Sequence, residues 1–79
     1  MLLDIIDAKT LDNFLLLLKF ENGEEKKFDC KPLFNKKIFK PLSEKHFFIK
    51  AKVSFGTVSW TNSIDISPET LYIDSKKAS

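Results

Sequence analysis

The chain has 79 residues, room for one small domain with a single hydrophobic core and no second one. Hydrophobic residues make up 43% and charged residues 30%, which excludes a disordered chain and fits a globular domain. The net charge of +2 is too near neutral to identify a partner, and the longest apolar run, Phe14 to Leu18, falls far short of the roughly 18 residues that span a bilayer.

Leu2 to Lys9 is apolar and β-compatible, interrupted by Asp4 and Asp7. Asn13 to Glu21 is the clearest strand, because Phe14, Leu16, Leu18 and Phe20 form an unbroken apolar face. Leu15 and Leu17 make its middle apolar on both sides, as in a central strand covered on both faces. Glu21-Asn22-Gly23-Glu24 is a hairpin signal. A two-residue loop at Asn22-Gly23 would oppose Glu21 with Glu24 and Leu16 with Asp29. A three-residue loop, Glu21 to Gly23, instead opposes Phe20 with Glu24, Leu16 with Phe28 and Phe14 with Cys30. The second register matches apolar residues and gives Gly23 the left-handed position of a bulge, so it is the one expected.

Pro32 ends the next strand, and Leu33 to Leu42 reads as irregular or short helical structure anchored by Leu33, Phe34, Ile38, Phe39 and Leu42. Ser43 is expected to cap a single turn through Phe47. Ile49 to Phe55 alternates, with Ile49, Ala51 and Val53 inward and Lys50, Lys52 and Ser54 outward. A tight turn at Phe55-Gly56, with Ser54 opposite Thr57, sets Val53 beside Val58 and Ala51 beside Trp60. Ser67-Pro68-Glu69 starts a helix of one turn: Ser67 is the N-cap, Pro68 the first helical residue, and Glu69 complements the dipole. Leu71 and Tyr72 should pin that turn to the sheet. The expected architecture is a single α+β domain over residues 1–75, a small antiparallel sheet of about five strands with short helical segments, followed by a flexible tail at 76–79.

Catalytic chemistry is sparse. The lone cysteine, Cys30, and the lone histidine, His46, could form a nucleophile–base pair oriented by Asp29 or Asp65. However, the expected register puts Cys30 on the apolar face, as a small hydrophobe, and His46 in a surface turn. One cysteine and one histidine make neither an internal disulfide nor a structural zinc site, and no glycine-rich phosphate loop is present. No catalytic residue, metal or cofactor is expected. Asp29 and Asp65 read as acceptors for backbone N–H groups in turns, and Trp60 as core.

Charge is uneven along the chain. Lys36 to Lys52 carries six lysines and one acid, net +5, and Val53 to Ser75 carries three acids and no lysine, net −3. Phe39, His46, Phe47 and Phe48 are interleaved with the basic residues, as in surfaces that stack bases between phosphate contacts. All thirteen basic residues are lysines, and the absence of arginine counts against base-specific DNA reading. Lys50 and Lys52, which alternate with apolar residues, fit a solvated face directly and can also guard a sheet edge, and a solvated face is favoured over a nucleic-acid surface given the lack of arginine and the modest net charge.

Phe20, Gly23, Asp29, Pro32, Leu33, Phe39, Leu42, Phe47, Phe48, Gly56, Trp60, Asp65, Ile66, Pro68, Leu71 and Tyr72 follow a recognisable order. With its Phe-x-x-Gly hairpin, Asp-x-x-Pro-Leu turn and Trp then Asp-Ile-x-Pro-Glu-x-Leu-Tyr ending, the chain resembles Domain of Unknown Function family 2442, small bacterial proteins. The resemblance runs from the first strand to Tyr72 and is most specific from Trp60 onward. It implies an α+β fold without established catalytic activity. Some members carry a helix-turn-helix after this domain, and others stand alone, commonly encoded beside another small protein, as in toxin–antitoxin pairs. Gly23, Asp29, Gly56, Trp60, Asp65, Pro68 and Tyr72 then read as fold markers.

The expected function is a non-enzymatic, cytoplasmic module that binds another small bacterial protein. The alternative is a nucleic-acid accessory protein using Lys36, Lys37, Lys40, Lys50 and Lys52. A homodimer is compatible with either, and neither a secretion signal nor a membrane anchor is expected.

Overall fold

A leucine- and phenylalanine-rich hairpin organises the molecule, and its register is the expected one. A computed structural model describes residues 3–60 and 64–77. Strands β1 (Ile5–Leu11), β2 (Leu15–Phe20) and β3 (Glu25–Asp29) form an antiparallel sheet with β2 in the centre. Leu16 lies opposite Phe28, the Phe20 N–H donates to the Glu24 carbonyl (2.9 Å), and the Cys30 N–H donates to the Phe14 carbonyl (3.0 Å). Gly23 has φ 90°, the left-handed value that closes the three-residue loop. Leu16, Leu18 and Phe20 are fully buried on one face of β2, and Leu15 and Leu17 on the other are half-buried.

The β1–β2 connection corrects two boundaries. β1 runs to Leu11, past the expected end at Lys9, and β2 starts at Leu15 instead of Asn13. Asn13 (φ 63°) and Phe14 (φ 60°) are both left-handed, which ends any strand. The cost of that backbone for an aromatic residue is offset by packing: the Phe14 ring meets Phe34 at 5.3 Å and Phe48 at 5.4 Å, edge-on.

After β3 the chain winds through two 3₁₀ segments, Lys31–Asn35 and Lys37–Ser43, where irregular or short helical structure is expected from Leu33 to Leu42; the first begins two residues earlier, at Lys31. Helix α1 (Lys45–Phe48) follows with Glu44 at its N-cap position. Ser43 does not cap it; its hydroxyl donates to the Lys40 carbonyl (2.8 Å) and closes the preceding 3₁₀ turn. The strand expected from Ile49 is shorter: Ile49, Lys50 and Ala51 donate their N–H groups back to Lys45, Phe47 and Phe48, so β4 covers only Lys52–Ser54. Ile49 is consequently exposed, not inward.

Strands β4, β5 (Thr57–Ser59) and β6 (Asp65–Ile66) make a second antiparallel sheet in that order. Ser54 faces Thr57 and Val53 faces Val58, as expected, around a turn with Phe55 at φ 53° and Gly56 at φ 76°. The two sheets are joined where the Ile5 N–H donates to the Gly56 carbonyl (2.8 Å). A Cβ on Gly56 would lie 2.6 Å from the Asp4 carboxylate and make it swing aside, and the φ of 76° is itself one that favours glycine.

Helix α2 (Pro68–Asp74) begins as its sequence dictates. The Ser67 Oγ accepts the Thr70 N–H at 3.2 Å and Pro68 occupies the first turn. It is seven residues long, about two turns rather than one. Leu71 is fully buried, and the Tyr72 ring stands edge-on to Phe20 at 5.1 Å. Lys26 reinforces this joint, its Nζ lying 3.9 Å over the Tyr72 ring and donating to the Tyr72 carbonyl (2.5 Å). Lys76–Lys77, expected to fray, instead forms β7 against Lys26 and Lys27 of β3, completing the order β1-β2-β3-β7. The fold is thus α+β and antiparallel, with seven strands in sheets of four and three where one sheet of about five is expected. One core, including Ile5, Leu18, Phe28, Leu42, Trp60 and Leu71, fills the space between them.

Candidate functional site

Cys30 sits at the end of β3 with no accessible surface, among apolar side chains. Burial, assisted by the nearby Asp29 carboxylate, pushes its thiol up to about 12, so almost none is ionised near neutral pH. The His46 side chain is 78% exposed, its Nδ1 4.0 Å from Glu44. A buried thiol and a solvated imidazole are not brought together. Asp29 serves its turn: its Oδ1 accepts the Lys31 N–H (3.0 Å) and pairs with the Lys31 ammonium (3.0 Å). Burial opposes ionisation of Asp29, but the Lys31 N–H and ammonium outweigh it and hold the carboxyl below its ordinary value. Asp65 is exposed on β6, and the helix-start acceptor role expected of it belongs to Ser67. Among the described residues no group of three or more His, Cys, Asp or Glu is placed to hold a metal. Likewise, among these residues no helix is long and apolar enough to cross a membrane.

The remaining fold markers act as struts. The Trp60 Nε1–H donates to the Phe48 carbonyl at 2.8 Å inside the core, and the Tyr72 hydroxyl donates to Glu24 Oε1 at 2.8 Å. Glu24 is held below its ordinary value by hydrogen bonds from Asn22 and Tyr72; Tyr72 is raised by the same bond to Glu24.

Lys36, Lys37, Lys40, Lys50 and Lys52 are all exposed but occupy different local frames. Lys36 and Lys37 stand at the start of the second 3₁₀ segment, Lys40 within it, Lys50 in the turn after α1, and Lys52 on β4. Of the five, Lys52 alone lines either of two surface grooves formed among the described residues. One groove, about 490 Å³, runs between the left-handed β1–β2 turn and α1, past Asn13, Phe14, Lys45 and Ile49. The other, about 600 Å³, lies on the β4-β5-β6 sheet, floored by Ser54, Thr57 and Ser59 with Lys52 and Asp65 on either side.

A surface that the sequence reading missed emerges from strand register. Residues directly opposite share a face of a sheet. Lys9 pairs with Leu17, Leu17 with Lys27, and Lys27 with Lys76, a row across four strands on the face turned from the core. The flanking rows are Asp7, Lys19 and Glu25 on one side and Leu11, Leu15 and Asp29 on the other. Lys19 therefore stands between two carboxylates, and Asp29 is engaged by Lys31. Among the described residues Lys9, Lys27 and Lys76 are in no ion pair, and Lys27 directly opposes Lys76, a repulsive arrangement. Leu11, Leu15 and Leu17 lie half-exposed beside them. The two-faced apolar character of Leu15 and Leu17 was the available signal; the β1 and β7 pairings were not.

Residues 5–77 match the family described as "Protein of unknown function (DUF2442)". The chain belongs to the DUF2442 family. That match spans both sheets and both helices of this DUF2442 domain, from Ile5 to Lys77. No curated protein and no solved structure matches the chain.

Proposed function

We propose that the chain is a non-enzymatic protein-binding module, the antitoxin-like or accessory half of a bacterial two-protein system acting in the cytoplasm. The observation that carries this reading is the outer face of the four-stranded sheet, where Leu11, Leu15 and Leu17 adjoin the lysine row Lys9, Lys27 and Lys76. Like charges held opposite one another cost stability in the free domain, and an acidic partner relieves that cost while its apolar side chains cover the leucines. The buried, un-ionised Cys30 thiol supports a scaffold role for the interior. Co-expression with the product of the neighbouring gene, followed by size-exclusion chromatography, tests the reading. Co-elution lost on Lys27→Glu/Lys76→Glu is expected; independent elution of the two wild-type proteins overturns it.

A second reading, nucleic-acid binding through Lys36, Lys37, Lys40, Lys50 and Lys52, draws support from the exposure of all five. It requires association with RNA or DNA that weakens steeply with salt and with Lys36→Glu/Lys37→Glu/Lys40→Glu. Absence of any association at low salt removes it.

A further inference from the structure

We propose that the groove on the β4-β5-β6 sheet is a self-docking surface whose occupant is a second copy of this chain, related by a two-fold axis parallel to β5. Three observations converge on it.

The first is Phe55. Its side chain is fully exposed, and its backbone is left-handed at φ 53°. With Gly56 at φ 76° it forms a two-residue hairpin loop of the kind that favours Asn or Gly at both positions. A phenyl ring there raises the energy of the isolated domain twice, through the backbone and through unburied apolar surface, with no compensating aromatic contact among the described residues. An apolar surface from outside the chain supplies the missing compensation, and exposed aromatic anchors dominate interfaces.

The second is the charge pattern of the groove. Lys52, Ser59 and Asp65 are directly opposite one another on β4, β5 and β6 and share one face. The cation and the anion thus flank Ser59, each one strand away, about 4.8 Å by ordinary strand spacing. Among the described residues neither is in an ion pair. A groove with one charge of each sign on its two sides is complementary to itself.

The third is what symmetry does to that pattern. A two-fold axis parallel to β5 and passing over Ser59 exchanges the two sides of the groove. It sets each Lys52 over Asp65 of the second copy, while the two Phe55 rings, at the same end of their hairpins, meet across the axis. An axis perpendicular to the strands would set Lys52 over Lys52. The charges therefore select the parallel axis, and that axis pairs the phenylalanines. Ser54 and Ser59, small and polar at the centre, let the two faces approach. The contact is isologous and closes at two copies. It uses the smaller sheet and leaves the Lys9–Lys27–Lys76 face free, so it stands independently of the protein-binding reading.

Sedimentation equilibrium of the full chain over a wide concentration range tests the proposal, with circular dichroism of each variant confirming the fold. The wild type is expected to dimerise, and Phe55→Ser to weaken the dimer by about tenfold or more. Lys52→Glu and Asp65→Lys should each dissociate it, and the double variant Lys52→Glu/Asp65→Lys should restore it, because only a symmetric pairing of these two positions survives exchange of both charges. A wild type that stays monomeric throughout overturns the proposal. So does a dimer indifferent to Phe55→Ser and to the charge reversals, or one broken by Lys27→Glu instead.

Discussion

Replacing Trp60 with phenylalanine separates a core strut from a surface anchor. Trp60 is 3% exposed, its Nε1–H donates to the Phe48 carbonyl at 2.8 Å, and its ring lies 6.2 Å from that of Phe48. Phenylalanine keeps most of the apolar surface but removes the donor and part of the volume. The Phe48 carbonyl retains the Ala51 N–H at 3.2 Å, so it is not orphaned, and the lost hydrogen bond costs about 1 kcal/mol. Incomplete collapse around the smaller ring adds about 1–2 kcal/mol. The sum, about 2–3 kcal/mol, corresponds in a domain of this size to a fall in Tm of about 10–20 °C. Urea denaturation followed by far-UV circular dichroism, which needs no tryptophan signal, measures it directly. A loss below about 0.5 kcal/mol, the range of ordinary surface substitutions, would mean that Trp60 is a surface residue and not a core strut.

Phe55→Asn, which suits the left-handed turn position, should stabilise the monomer by about 0.5–1 kcal/mol at concentrations where no dimer forms; a destabilised variant would mean that the ring packs within the chain. Native Cys30, with its thiol raised to about 12, should resist alkylation at pH 8 and react at once in denaturant, and rapid stoichiometric labelling of the folded protein would contradict its burial. Glu24, whose folded value is depressed, contributes stability that is present above its ordinary value of 4.5 and lost as pH falls through the lowered one. Tyr72, whose folded value is raised, contributes stability below its ordinary value of 10.0 that is lost as pH rises through the higher one. Thermal melts should therefore show the gap between wild type and Tyr72→Phe greatest between these limits and narrowing towards each; a gap independent of pH argues that the Tyr72–Glu24 bond contributes nothing.

Local rules wrote the hairpins plainly. Matching Leu16 with Phe28 against Asp29 was enough to choose the β2–β3 loop, and Val53 with Val58 did the same for β4–β5, because a one-residue slip would turn every apolar side chain outward. Ser67-Pro68 marked the start of α2 for equally local reasons. Boundaries set by long-range packing were less legible. Asn13 and Phe14 look like strand residues, and only the distant Phe34 and Phe48 rings explain their left-handed turn. Ile49 alternates correctly with Ala51 and Val53, but α1 hydrogen bonds capture its backbone first. Lys76 and Lys77 carry no strand signal at all; their pairing with Lys26 and Lys27 follows from where Tyr72 docks α2 on Phe20. The lysine row was hidden for the same reason, since two of its four members, Lys9 and Lys76, join it only through β1 and β7. Burial of Cys30, by contrast, followed from the register alone.

We propose that the domain acts through a sheet face while Cys30 and the buried aromatic residues, Phe20, Phe28, Phe48 and Trp60, serve the interior. Amide chemical-shift mapping of the isotope-labelled protein against the product of the neighbouring gene tests it most directly. Perturbations are expected to cluster on Lys9, Leu11, Leu15, Leu17, Lys27 and Lys76 and to saturate at a defined stoichiometry. Shifts centred on Cys30 and His46, or none at saturating concentrations, would contradict it.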